Sequence, residues 1–147
     1  MTKTISRRDL SLLVPALAAA AAARAQNAPA PVADLDTKVY HDKQIPYTGD
    51  DKKMGRRFFD GKTHTGYHIE MHSTILGPGI QTHAPHKHEH EEIVIVMDGT
   101  MEMTNEGKSE IAESGSVVYF GSNQMHSSRN AGTVPCRYYV LELRAGA

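Results

Sequence analysis

The chain has 147 residues, 39% of them hydrophobic and 22% charged, which is an ordinary composition for one soluble globular domain. Its formal net charge of -1 offers no basic face for a nucleic-acid partner, so we expect none. All nine histidines lie at or after His41, and this feature of the composition calls for a chemical explanation.

Residues 1–25 have the three parts of an export signal: a basic start, an apolar run, and the small-x-small sequence Ala23–Ala25 at its end. A membrane-spanning helix is the alternative, but the apolar run is short for a bilayer and Pro15 interrupts it. The segment Ser6–Leu12 resembles the twin-arginine export signal of bacteria. We therefore predict cleavage near Ala25, a periplasmic or otherwise exported mature protein, and no membrane segment in it.

Residues 26–54 predict a linker followed by an extended arm. Pro29 and Pro31 give the first part the composition of a flexible tether. The stretch Lys38–Lys53 is polar with scattered tyrosines, and we expect it to form an arm that lies across the domain that follows.

From Gly55 onward, turn signals at regular spacing separate short runs of β-branched and aromatic residues, which predicts strands. Tyr67–Ile75 alternates apolar with polar residues, the pattern of a half-buried strand. Ile93–Met97 is apolar throughout, so we expect a strand covered on both faces, and Asp98-Gly99 predicts a hairpin after it. Because no segment after the export signal has a helical period over three turns, the sequence predicts one all-β domain over residues 55–147.

Cys136 is the only cysteine, so no intramolecular disulfide can form. It lies in a strand-like run beside Tyr138 and Val140, which predicts a buried thiol that packs and does not act as a nucleophile. The stability of the domain must then come from its core, with or without a bound metal.

The segment Pro85–Glu92 contains three histidines and three glutamates. Alternate residues of an extended chain share a face, so one side of this segment carries four potential metal ligands: His86, His88, His90 and Glu92. For an isolated His-x-His pair, a polar loop without function would explain the pattern equally well. A second spaced set, which includes His126, favours metal binding.

These two segments resemble the two motifs of the cupin family. The first motif is matched by Gly79, His86, His88, Glu92 and Gly99, with one extra residue before the first histidine. The second motif is matched by Gly115, Gly121, Asn123, His126 and Asn130. Gly121 stands where proline is usual and Asn123 where glycine is usual, and both replacements suit a turn. The resemblance covers the chain from Gly66 to Leu143.

The resemblance implies a double-stranded β-helix, a jelly-roll barrel that holds one metal ion through His86, His88, Glu92 and His126. Three imidazoles and a carboxylate suit a divalent transition metal and disfavour Ca or Mg. We favour Mn or Fe, with Zn, Ni, Co or Cu as alternatives, since export of the folded protein would retain an ion loaded in the cytoplasm. Six-coordination would leave two positions open for a small-molecule ligand.

Other polar residues have less specific roles. His90 has the correct parity but no place in the four-ligand set, so we assign it as a candidate catalytic acid or base, with an exposed histidine as the alternative. Histidines outside the motifs are expected at the surface or at strand edges: His64, His68, His72 and His83. Three residues that flank the second motif are candidates for substrate contact: Tyr119, Gln124 and Arg129.

The resemblance implies a metal-dependent enzyme for a small polar organic molecule. The family spans dioxygenases, isomerases, decarboxylases and hydrolases, so the fold does not select the reaction, and we favour a dioxygenase-like oxidoreductase. The alternative is a non-catalytic cupin that binds a small ligand or metal. Small cupin barrels often pair through their sheets, so a homodimer is expected, whereas no DNA-binding segment supports a role as a transcription factor.

Overall fold

The computed structural model describes residues 32–145. The predicted export signal and the first part of the predicted linker lie outside this range. A short 3-10 turn, Asp42–Gln44, precedes the strands β1 (Thr48–Gly49), β2 (Lys53–Lys62), β3 (His68–Leu76), β4 (Glu91–Asp98), β5 (Thr100–Asn105), β6 (Lys108–Glu113), β7 (Val117–Phe120), β8 (His126–Asn130) and β9 (Cys136–Arg144). No helix within the described range is long and apolar enough to cross a membrane. The all-β prediction is confirmed.

The strands form two antiparallel sheets. The larger sheet has the order β1-β2-β3-β9-β4-β7 and the smaller has the order β6-β5-β8. Isolated bridges from Gln81 to Arg129 and from His86 to His126 add the segment before β4 to the free side of β8. The core consists of Leu76, Val94, Val96, Met101, Met103, Ala112, Phe120, Cys136, Tyr138 and Val140. This arrangement is a jelly roll, as predicted.

The turn between β4 and β5 requires glycine. Gly99 has φ +85°, and a Cβ built there would lie 2.7 Å from Cys136 Cβ. An L side chain is therefore excluded by conformation and by space. Cys136 itself is fully buried, and burial raises the pKa of its thiol to about 11, as expected for a thiol that serves packing.

Strand β3 directs its polar residues inward. Glu70 and Thr74 are each 4% exposed, whereas Ile69 and Met71 are only half-buried on the opposite face. Hydrophobic alternation alone would place the apolar face inside. Here the interior beside β3 is a polar cavity, which reverses the usual orientation.

Strand β4 alternates in burial although its sequence does not alternate. Val94 and Val96 are 4% and 0% exposed, Ile93 and Ile95 are half-buried, and Met97 is 37% exposed. The prediction that both faces are covered is therefore wrong. In a two-layer sandwich only one face of the sheet meets the other layer.

The predicted arm packs on the larger sheet. Its strand β1 pairs with β2, which begins two residues before the predicted start of the domain. The hydroxyls of Tyr47 and Ser73 share a hydrogen bond of 2.8 Å. The buried Arg56 lies 4.2 Å from the centroid of the Tyr47 ring and donates to the backbone oxygens of Asp42 and Ile45. Hydrogen bonds and ring contacts thus hold the arm against the outer face of the sheet.

Candidate metal centre

The two motif segments are joined by backbone hydrogen bonds. His86 and His126 donate to each other's carbonyl oxygens over 3.1 and 2.9 Å. The amide of Asn123 donates to the His88 carbonyl over 2.7 Å. The segment before β4 and the start of β8 are therefore held side by side, and the sheet fixes the approach of their side chains.

The four predicted metal ligands lie in one cluster. One nitrogen from each of His86, His88 and His126 lies within 4.8 Å of the others. Glu92 Oε1 lies 3.0 Å from His88 Nε2, and Glu92 Oε2 lies 3.7 Å from His126 Nε2. The structure thus brings three imidazoles and one carboxylate together from separate strands and loops.

The hydrogen bonds of two imidazoles fix where their lone pairs point. His88 Nδ1 lies 2.8 Å from the His90 carbonyl, and His126 Nδ1 lies 2.9 Å from the Gln124 carbonyl. Because a carbonyl can only accept, each Nδ1 carries a proton, which leaves Nε2 as the nitrogen that can bind a metal ion. Both Nε2 atoms face Glu92, and either a metal ion or a second ring proton would relieve the repulsion between such a lone pair and the carboxylate.

Two buried nitrogens of the cluster have no hydrogen-bond partner among the described residues: His86 Nδ1 and His126 Nε2. Buried polar atoms are usually paired, and a metal ion would satisfy such lone pairs. Burial lowers the pKa of His86, and the nearby His126 and His88 lower it further. A neutral imidazole is the form that binds metal, so these residues fit a divalent transition ion.

His90 lies directly beside this cluster. Its ring stacks on that of His88 with centroids 3.4 Å apart. His90 Nε2 lies 3.6 Å from Glu92 Oε1 and 3.5 Å from Glu142 Oε2. Burial lowers the pKa of His90, although Glu142 opposes the effect. This position suits a proton donor or acceptor next to the ion.

The cluster borders a cavity of about 410 Å³. The other residues lining it are Lys53, His72, Thr74, Thr82, His83, His90, Val94, Phe120, Ser128, Tyr138, Val140 and Glu142. His83 is exposed, as expected, whereas His72 is half-buried on the internal strand β3 and not at the surface or at a strand edge. His72 points inward because β3 has its polar face inside, and the ring centroid of His83 lies 4.0 Å from that of His86.

The remaining predicted site residues lie elsewhere. His64 is exposed, and His68 Nε2 contacts Asp60 at 2.5 Å. The three candidates for substrate contact do not line this cavity: Tyr119 is 58% exposed, Gln124 accepts a hydrogen bond from the Gly121 amide, and Arg129 forms two hydrogen bonds with Glu102. Proximity in sequence to His126 does not place a side chain on the inner face of the sheet.

The turn before His126 accommodates both departures from the cupin motif. Asn123 has φ +59°, a left-handed conformation that asparagine tolerates better than most residues. The Gly121 amide donates to Gln124 Oε1 over 3.2 Å, a bond that proline could not make. The two replacements therefore fit a turn that is closed by the hydrogen bond between Gly121 and Gln124.

Asn130 has a structural role that sequence reasoning did not assign. Its side chain is fully buried and donates to the carbonyls of Leu76 and Val134, both over 2.8 Å. Its Oδ1 accepts from the Gly132 amide over 2.8 Å. The Asn130 side chain thus connects the end of β3 with the loop that follows β8 through hydrogen bonds.

Residues 72–142, which contain all four candidate ligands, match the family model described as the cupin domain, Cupin_2. No curated protein matches the chain. Together with the jelly-roll fold, this match supports a cupin domain in this part of the chain.

Several solved structures share the fold. An RmlC-like cupin from Shewanella frigidimarina has a TM-score of 0.62 and 12% identity, over 76% of this chain and 93% of that one. KdgF from Halomonas sp. has a TM-score of 0.62 and 16% identity, over 75% and 96%. A predicted oxalate decarboxylase from Thermotoga maritima has a TM-score of 0.60 and 18% identity, over 74% and 100%. At these identities the likeness concerns the fold alone.

Proposed function

We propose that this protein is an exported metalloenzyme that acts on a small polar organic molecule. One divalent transition ion, Mn or Fe by preference, would be held by His86, His88, Glu92 and His126. The observation that carries the proposal is that two buried imidazole nitrogens, His86 Nδ1 and His126 Nε2, have no hydrogen-bond partner within residues 32–145, and the second lies 3.7 Å from Glu92 Oε2. A bound ion would supply Lewis-acid or oxygen-activating chemistry.

The chain's own residues supply binding and proton transfer. His90 is placed to exchange a proton with a ligand next to the ion. On another part of the cavity wall, Lys53 Nζ donates to the Thr82 carbonyl over 2.8 Å, and Ser128 adds a hydroxyl. These groups would hold polar or anionic parts of a substrate, while Phe120 and Val94 exclude water from the inner side.

The reaction we favour is an oxidation of the dioxygenase type. Similar structures include proteins named as the polyketide cyclase RemF from Streptomyces resistomycificus, at 17% identity, and a predicted oxalate decarboxylase, at 18%. Since one fold serves such different proteins, the reaction must be found by assay.

The test is metal-dependent turnover. Protein stripped of metal and reloaded with Mn²⁺ or Fe²⁺ is screened against small organic acids, phenols and sugars, with product formation and oxygen uptake recorded. We expect turnover that disappears on stripping and in Glu92→Gln, while His68→Gln, a histidine outside the cavity, remains active. If metal removal changes only ligand affinity or stability in a folded barrel, the protein is the non-catalytic binding module instead.

Export by the twin-arginine route is part of the proposal. It is supported by Arg7 and Arg8 ahead of the apolar run. Replacing both with lysine should leave the precursor in the cytoplasm. Metal analysis of the wild-type protein from the periplasm should then show Mn or Fe, and mainly Cu or Zn would contradict loading before export.

A homodimer through the larger sheet is also proposed. On its outer face, the half-buried Ile93 and Ile95 pair across strands with Tyr119 and Val117, which are 58% and 66% exposed. A second copy of this patch would bury these side chains. Light scattering should give twice the chain mass, and Tyr119→Lys should restore the monomer; a wild-type monomer would contradict the proposal.

A further inference from the structure

A second group of metal-ligating side chains lies on the wall that β3 and β9 form. One ligand atom from each of Glu70, His72 and Glu142 lies within 4.8 Å of the others. Glu70 and Glu142 are direct partners in the antiparallel register, and His72 lies two residues further along β3 on the same face. Strand register, and not a flexible loop, therefore builds this group.

The group carries a concentration of negative charge. Glu142 is also the direct partner of Glu92 on β4, so Glu70, Glu142 and Glu92 form one row across three neighbouring strands. Like charges directly opposite each other destabilise a sheet. The Glu70 side chain is only 5% exposed, so its charge has lost most of its hydration. A cation within the row would relieve both costs.

Two arginines contact this row of glutamates, but they do not replace a bound cation. Arg57 Nε donates to Glu70 Oε1 over 3.1 Å, and Arg144 donates to Glu142 Oε2 over 2.6 Å. Their side chains are 65% and 43% exposed, so solvent screens their charge. Each of these two ion pairs involves only one of the two oxygens of its glutamate carboxylate. The other oxygen of Glu70 lies 2.8 Å from His72 Nδ1.

We propose that Glu70, His72 and Glu142 bind a second divalent cation beside the four-ligand site, where His72 and Glu142 line the same cavity. His90 stands between the two sites, since its Nε2 contacts Glu142 and Glu92 at 3.5 and 3.6 Å. Two carboxylates and one imidazole form a harder ligand set than three imidazoles and one carboxylate, which suits Mn²⁺ or Fe²⁺. The inference goes beyond the proposed function and does not depend on catalysis.

Counting bound ions tests the proposal. Full-length protein is stripped with a chelator and dialysed against Mn²⁺, and the bound ion is counted from the electron paramagnetic resonance of free Mn²⁺ and by elemental analysis. We expect two ions per chain for the wild type and one for His72→Gln or Glu142→Gln. His86→Ala should also hold one ion, and His72→Gln combined with His86→Ala should hold none.

His68→Gln is the matched control, because His68 lies on the same strand but outside the cavity. It should hold two ions. A spin-coupled signal in fully loaded wild-type protein would support two neighbouring ions without any substitution. One ion per chain in the wild type, lost in His86→Ala but kept in His72→Gln, would overturn the second site and leave the four-ligand site standing. No bound ion in the wild type would overturn both.

Discussion

His86 and His126 exchange two backbone hydrogen bonds, of 3.1 and 2.9 Å, and their ring centroids lie 4.6 Å apart. The backbone pairing fixes two of the four candidate ligands relative to each other without help from an ion. Preorganisation of this kind lowers the cost of ordering ligands when an ion binds. The barrel should therefore remain folded after metal removal, although with lower stability.

The three hydrogen bonds of the buried Asn130 side chain predict a large loss of stability when this side chain is truncated to alanine. Asn130→Ala removes its hydrogen bonds to the Leu76 and Val134 carbonyls and from the Gly132 amide, so we expect a loss of about 3 kcal/mol in the free energy of unfolding. Urea denaturation measures it. Asn105→Ala removes one exposed bond of 3.3 Å and should cost about 0.5 kcal/mol or less. An equal loss in the free energy of unfolding for the two variants would contradict a special structural role for Asn130.

Alanine substitutions at two glycines distinguish the cost of backbone strain from the cost of steric conflict. Gly99 and Gly107 have φ of +85° and +77°, but only at Gly99 would a Cβ meet other atoms, at 2.7 Å from Cys136 Cβ. Gly107→Ala should cost about 1 kcal/mol from conformation alone, and Gly99→Ala about 3 kcal/mol or more. Thermal unfolding of both variants checks the difference. A Gly99→Ala protein as stable as Gly107→Ala would contradict the close approach.

The buried thiol predicts resistance to modification. Burial raises the pKa of Cys136 to about 11, so at neutral pH the group is a protonated thiol inside the core. A thiol-specific reagent should leave the native protein unmodified and modify one site per chain after denaturation in guanidinium. Rapid modification of the folded protein would show that Cys136 is accessible.

The cavity histidines predict that the metal-free protein loses stability in acid. Burial lowers the pKa of His83, His86 and His90 from the ordinary value of 6.5. Below that value the unfolded chain binds more protons than the folded one, so the free energy of unfolding falls as the pH falls. Urea midpoints from about pH 7 to about pH 5 should therefore decrease. A midpoint that rises over this range would contradict neutral histidines in the folded state.

The site residues that belong to short sequence motifs could be predicted from the sequence. The spacing of His86, His88 and Glu92 is local, and His126 follows its own motif, so the four could be named together. The hairpin at Gly99 was predictable for the same reason, since a turn depends on two or three residues.

The rest of the cavity depends on pairing between distant strands. Glu70, Glu142 and Glu92 form a row only because β9 lies between β3 and β4 in a particular register, which no local pattern specifies. The alternation in β3 predicts two faces, but it does not say that the face with His72 lies inside. One signal was available: a strand that alternates apolar residues with Glu and His has ligand chemistry on its polar face.

The central claim is tested most directly by metal analysis of natively exported protein together with His86→Ala and Glu92→Ala. Each variant should lose one ion per chain relative to the wild type while circular dichroism shows an intact barrel, and His68→Gln should match the wild type. Full retention of metal in both folded variants would contradict a metal centre at His86, His88, Glu92 and His126.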